Sequence, residues 1–307
     1  MDRQNSLGEA IRGLRRQRGI TQEQLAGGIC STITVSRIEN GHQMPSKEVL
    51  DALLSRLHSG AYQLCNVYYQ KEHDRGLEDK LRRASTLLQD GRLAECRELL
   101  DRIDADSQAV PTYRQVYLML DAAILLSGTP DAAAASSALD TIERAVRLTQ
   151  PHIDLKDMRR TLLSQNEAQA LALMVPALLY AERPLDAIMF GRELVATLDA
   201  QEDDSKERYE LRINVESNLA QCLELQGYYE DSEELVQKMR RECHEWHIYS
   251  YLPELVYSEA RGCLRRGDAA GARRRMEAVV PYLDVIDEHE QAATMRGWAR
   301  RELKLDL

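Results

Sequence analysis

The stretch TQEQLAGGICSTITVSRIENG, residues 21–41, decides how the first fifth of this chain is read. Thr21 is a strong helix N-cap, since its hydroxyl can accept from the first free amides of a helix starting at Gln22. Leu25, Ala26 and Ile29 fall on the inner side of that helix. Gly27 and Gly28 would each cost about 1 kcal/mol in a helix interior. The spacing therefore predicts that the helix stops there, with Gly28 in the left-handed conformation. Ser31 caps a further helix that turns Val35 and Ile38 inward, and Asn40-Gly41 closes it with turn chemistry.

The flanks agree. Leu7, Ile11 and Leu14 recur at i, i+4, i+7 and predict an amphipathic helix over 6–18, ended by Gly19. After Pro45, Ser46 caps a fourth helix with Val49, Leu50, Leu53, Leu54 and Leu57 inside. Four short helices around this middle turn match a helix-turn-helix.

T-Q-x-x-L-A followed by S-R-I-E-N-G closely resembles the helix-turn-helix of the phage-repressor and xenobiotic-response-element (XRE) class. The turn GGICS is one residue shorter than that class's common pattern. In this it resembles the peptide-pheromone-sensing transcriptional regulators of the Rgg/Rap/NprR/PlcR/PrgX (RRNPP) family. The resemblance implies double-stranded DNA as a partner, with the third helix in the major groove and the second across the phosphate backbone. Gln22, at a helix N-terminus, is then a phosphate donor. Thr32, Ile33, Thr34, Ser36 and Arg37 are the candidates for base contact. Ile33 lies off the Val35/Ile38 face, and a thymine methyl would explain a solvent-facing isoleucine there. Arg37 suits a guanine or a phosphate. Glu39 resembles the class's structural acid and is expected to pair with Arg15.

Charge separates this head from the rest. The whole chain carries −10, yet residues 1–72 hold 9 Lys and Arg against 7 Asp and Glu, leaving 31 against 43 beyond them. A mildly basic head thus precedes an acidic body in a chain of 307 residues, long enough for two domains. Leu, Ala, Glu and Arg dominate, aromatics are 5%, and no Val/Ile/Thr-rich alternating run is present, so the expected fold is all-α. Six scattered cysteines without a C-x-x-C pair suit reduced thiols in a cytoplasm. No apolar run is long enough for a membrane span.

The body is read through its repeats. Helical segments pair around short turns at Gly91, Gly128, Glu182, Gly227 and Gly267. Five residues on stand Cys96, Ala133, Ala187, Ser232 and Ala272, all small; seven before stand Ala84, Asp121, Val175, Ala220 and Ala260. Small residues on both helices allow close approach. That is the logic of a tetratricopeptide (TPR) repeat, although Asp121 and Val175 depart from it. Turn spacings of 37, 54, 45 and 40 exceed the roughly 34-residue standard. The body thus resembles degenerate, elongated TPR-like helix pairs, implying a right-handed superhelix, with a capping helix from Asp284 onward. Pro176 is expected to kink or break a long helix.

First helices of such pairs line a concave surface. The projection puts Gln115, Gln169, Asn214, Asn218, Gln221, Glu254, Tyr257 and Arg261 on or near it, with Asn166 a further candidate. Side-chain amides donate and accept, as an extended peptide backbone requires. Asn214 and Asn218 share a helix face despite asparagine's poor helix propensity. They resemble the asparagines with which the family holds a peptide backbone, so a short linear signalling peptide is the implied ligand. The competing reading is that such an Asn bonds its own helix.

The boundaries that follow are a helix-turn-helix domain at 1–59, a linker helix at 60–74 and a TPR-like sensing and dimerisation domain at 75–307. Leu64, Val67 and Tyr68 stripe the linker helix, which could pair with its twin in a homodimer reading two half-sites. Cys243 and His247 stand at i, i+4 without a second pair, so no metal, cofactor or catalytic residue is assigned. No H-E-x-x-H, G-x-S-x-G or Walker loop is present. The expectation is a cytoplasmic regulator in which a peptide modulates DNA binding. The alternatives are a TPR interaction scaffold, or a modulator of response regulators, with an accessory DNA-binding head.

Overall fold

The computed structural model describes residues 6–57, 72–103, 111–128, 130–159, 161–201 and 205–307. Its regular structure is helical throughout, with no strand among the described residues. The linker stripe at Leu64, Val67 and Tyr68 lies outside the described residues, as does Cys65. Two units emerge, Met1–Asp204 and Ser205–Leu307.

The first unit opens with the head. Helices α1 (Ser6–Gln17), α2 (Gln22–Ala26), α3 (Thr32–Glu39) and α4 (Lys47–Arg56) enclose Ile11, Leu25, Val35, Ile38, Leu50, Leu53 and Leu57. Each cap forms as the sequence predicts. Thr21 accepts from the Gln24 amide while the Gln24 side chain reaches back to Thr21, a complete capping box. Ser31 and Ser46 accept from Thr34 and Val49. Gly28 and Gly41 take positive φ (71° and 70°), so the glycines stand where the backbone requires left-handed residues.

Behind the head follow α5 (Glu72–Gln89), α6 (Leu93–Asp101), α7 (Pro111–Leu125), α8 (Ala132–Arg147), α9 (Gln165–Ala172), α10 (Met174–Tyr180) and α11 (Pro184–Asp199). All three turn positions expected here have positive φ, including the non-glycine Glu182 at 58°. Cys96 and Ala187 are buried as expected. Ala133 is not: it is exposed, and Ala135 holds the buried place instead. The turn at Gly128 is two residues longer than its counterparts, because α8 starts four residues after the glycine at the Asp131 cap, whereas α6 starts two after Gly91. Asp121 likewise gives way to the buried Ala122 and pairs with Arg97 at 2.5 Å. The break attributed to Pro176 falls at Leu173, three residues upstream. Pro176 sits in the first turn of α10, where its missing N–H removes the bond that would have continued α9.

The second unit contains α12 (Lys206–Leu225), α13 (Tyr229–Glu245), α14 (Leu252–Arg265), α15 (Ala269–Val285) and α16 (His289–Leu303). Ser232 and Ala272 are buried against Ala220 and Ala260. The Ser232 hydroxyl donates to the Ala220 carbonyl at 2.9 Å, and in the first unit the Cys96 thiol donates to the Ala84 carbonyl at 3.2 Å. The same bond at the same repeat position shows why the position stays small: the neighbouring backbone is within hydrogen-bond reach. The helix expected from Asp284 onward begins at His289, after a turn in which Asp287 has φ 62°.

Candidate functional site

In the head, Glu39 organises the second and third helices. Its side chain is fully buried, and Arg15 grips it with two bonds, Nε to Oε1 at 2.6 Å and a terminal nitrogen to Oε2 at 2.9 Å. Gln22 donates to the same carboxylate at 2.8 Å, and Arg12 bonds the Glu39 carbonyl at 2.7 Å and the Asn40 side chain. Burial opposes ionisation of Glu39, but the hydrogen bonds from Arg15 and Gln22 and the nearby cations outweigh it. The carboxyl therefore lies below its ordinary range. Gln22 is thus tied to the scaffold through its side-chain amide.

The base-contact candidates of α3 differ in exposure. Thr32 and Arg37 are exposed, Thr34 and Ser36 are half-buried, and Ile33 is 66% exposed. The Thr34 hydroxyl contacts Ser31 at 2.9 Å, and Asn40 bonds the Ser36 carbonyl at 2.7 Å. Val35 and Ile38 are buried in the head core, so α3 is clamped from behind and presents one apolar and several polar groups in front.

The body candidates fall in both units. Asn166 and Gln169 are half-buried on α9 of the first unit. Gln115 does not belong with them. It is 1% exposed, and its amide donates to the Ala145 carbonyl at 3.0 Å and to the Thr149 hydroxyl at 2.8 Å, which makes it a packing residue. Amide composition could not separate the two roles, because the projection of a longer repeat slips by a fraction of a turn.

In the second unit, Asn218, Gln221, Glu254 and Arg261 come together around one cavity of about 140 Å³. Ser217 and Ser258, which the sequence reading did not single out, line it too. Asn218 donates to its own helix at the Asn214 carbonyl (2.9 Å), leaving its side-chain oxygen to accept. Asn214 is engaged with the hydroxyl of Tyr251. Arg261 lies over the Tyr257 ring at 4.5 Å and pairs with Glu224 at 3.0 Å. Burial pushes the Glu254 carboxyl above its ordinary range, against the charge of Arg261 and a hydrogen bond from Gln291. Tyr257 also meets Trp298 edge-on at 5.4 Å. The cavity is of side-chain size and offers acceptors from Asn218 and Glu254.

No group of three or more His, Cys, Asp or Glu among the described residues is placed to hold a metal ion. None of the described helices is long and apolar enough to cross a membrane.

Residues 11–60 match the helix-turn-helix family. No curated protein matches the chain in sequence. Among solved structures, PlcR from Bacillus thuringiensis in complex with the peptide PapR7 and DNA aligns over 95% of this chain and 99% of its own, at 17% identity and a TM-score of 0.59. The same protein in its apo form covers 95% and 98% at 17% identity, TM-score 0.53. Apo ComR from S. thermophilus covers 96% and 98% at 16% identity, TM-score 0.52. The chain shares the fold of these proteins from its helix-turn-helix through its TPR-like body.

Proposed function

We propose that this chain is a cytoplasmic, homodimeric transcriptional regulator of the peptide-pheromone-sensing kind, whose head binds double-stranded DNA and whose body binds a short linear peptide. The observation that carries the reading is the exposed Thr32–Ile33–Arg37 face of a helix locked from behind by Glu39, on a chain with the fold of PlcR. That protein was crystallised with both a peptide and DNA, which supports the pairing of ligands here. Thr32, Ile33, Thr34, Ser36 and Arg37 meet base edges and backbone in the major groove, and the N-terminus of α2 at Gln22 meets a phosphate.

On the body, Asn218, Gln221, Glu254 and Arg261, with Asn214 and Tyr257 supporting them, are the peptide-contact candidates of the second unit, and Asn166 and Gln169 are those of the first. A peptide that prefers one arrangement of the helix pairs shifts the heads between arrangements of different operator affinity. Fluorescence anisotropy tests this, with DNA upstream of the chain's own and neighbouring genes as probe and synthetic peptides from adjacent small reading frames as effectors. A peptide-dependent shift in DNA affinity is the expected result. DNA binding indifferent to every peptide would leave the head's role standing and remove the sensor.

A further inference from the structure

The head and the first unit's helical body meet at two places among the described residues, α4 and the turn before α3. The Arg56 guanidinium, at the C-terminal end of α4, pairs with Glu167 on α9 at 3.1 Å, and both side chains are 1% exposed. Arg56 also donates to the Leu25 carbonyl at 3.3 Å and to that of Gly27, so it fastens α2 as well. Glu167 is as heavily committed on its own side. Its second oxygen accepts from the Ser164 backbone amide at 2.7 Å in the capping box that starts α9, and Gln150 approaches it at 3.4 Å. Beside this pair the backbones meet. Gly28 lies so close to the Thr149 carbonyl that a Cβ would overlap it, and Thr149 is held in turn by Gln115.

We propose that the Arg56–Glu167 pair makes the head and α9 one cooperative unit, so that displacement of α9 passes to the head through α4 rather than along the connecting segment. The physical reason is the cost of separation. Two fully buried charges cannot part without leaving at least one unpaired in an apolar setting, a far larger penalty than breaking an exposed pair. Asn166 and Gln169 flank Glu167 on the same two-turn helix, with Asn166 adjacent to it. An occupant of that face therefore acts one residue away from the anchor. This last step rests on the reading of α9 as part of the peptide surface. The pairing itself does not.

Hydrogen exchange by mass spectrometry on the full chain tests the coupling, with neither DNA nor peptide present. Arg56→Met alters only the head, and is expected to speed exchange about tenfold over α9, residues 165–172. Glu167→Gln keeps an acceptor for the Ser164 amide and alters only the body. It is expected to speed exchange similarly over α2 and α4. Changes confined to the mutated side in both variants would overturn the proposal. If either single variant unfolds the chain, the double variant Arg56→Met/Glu167→Met decides, since it leaves no buried charge unpaired. Protection regained on both sides supports the coupling, and protection regained on one side only overturns it. A chain that ignores every peptide could still show the reciprocal effect, so this outcome is separate from that of the sensor reading.

Discussion

Arg15 and Glu39 are joined by two hydrogen bonds across the head, which tie α1 to the C-terminal end of α3. Glu39 is fully buried while Arg15 retains a small exposed edge, so the pair draws its strength from geometry rather than from charge alone. Removing the carboxylate strands Arg15 and frees Gln22. Glu39→Ala is expected to cost about 3 kcal/mol of head stability, read by urea unfolding monitored over the helices of the head. The pH dependence follows from the direction of the shift. A carboxyl held below its ordinary value of 4.5 stabilises the fold fully above that value, and the stabilisation is lost as pH falls through the depressed one. The stability gap between wild type and Glu39→Gln should therefore be constant at neutral pH and close in acid. A gap that widens on acidification would contradict the assignment.

The exposed face of α3 gives the opposite signature. Ile33 is 66% exposed, so Ile33→Ala should leave the stability within the range of a neutral surface change, about 0.5 kcal/mol. On the proposed reading its effect should fall on DNA affinity, with loss of a thymine contact weakening binding to the operator but not to mixed-sequence duplex. Arg37→Ala should cost roughly 1–3 kcal/mol in operator binding if it reads a base, and should weaken all sequences alike if it holds a phosphate. Anisotropy titrations against both duplexes separate the two roles for Arg37, and an unchanged operator affinity for either variant removes that residue from the interface.

What could be read in the sequence was what local chemistry determines. Caps at Thr21, Ser31 and Ser46 and the left-handed glycine at 28 are set within a few residues of their own backbone, and the small residues at 96, 187, 232 and 272 act within a single helix pair. The errors arose where a pattern was carried over distance. Ala133 was misplaced because a two-residue insertion after Gly128 is invisible to a fixed spacing, and Gln115 because its partners at Ala145 and Thr149 lie thirty residues away or more. In sequence Arg56 is only the basic residue that ends α4. Nothing near it in sequence announces Glu167, 111 positions on. Of the nine body candidates, four share one cavity, because they stand on two helices of one unit, α12 and α14, whose relative phase holds even when the repeat length drifts.

Glu182 occupies the turn position that glycine holds in four other helix pairs, and it does so with a left-handed backbone at φ 58°. An L-residue with a side chain pays roughly 1–2 kcal/mol there, partly offset by the greater freedom that glycine has in the unfolded chain. Glu182→Gly is expected to raise stability by about 0.5–1 kcal/mol, although glycine ordinarily weakens helical proteins. Gly227→Ala, at φ 82°, should lower it by about 1 kcal/mol. Chemical denaturation of both variants checks the pair, and a shared sign would mean that the two turns are not equivalent.

Asn218 separates structure from function most sharply. Its amide bonds the Asn214 carbonyl, a local bond that an alanine would not make, but asparagine is a poor helix former and alanine the best. Asn218→Ala should therefore leave stability unchanged or raise it by a few tenths of a kcal/mol. In the cavity it shares with Gln221, Glu254 and Arg261, the same change removes the side-chain oxygen that the proposed peptide backbone would meet. Peptide affinity should fall by about 1–2 kcal/mol, the cost of a buried donor left unpaired in the complex, with operator binding in the absence of peptide untouched. Calorimetric titration of the responding peptide into wild type and variant reads the loss. A variant that is destabilised yet binds peptide normally would make Asn218 a helix-packing residue and move the peptide surface elsewhere.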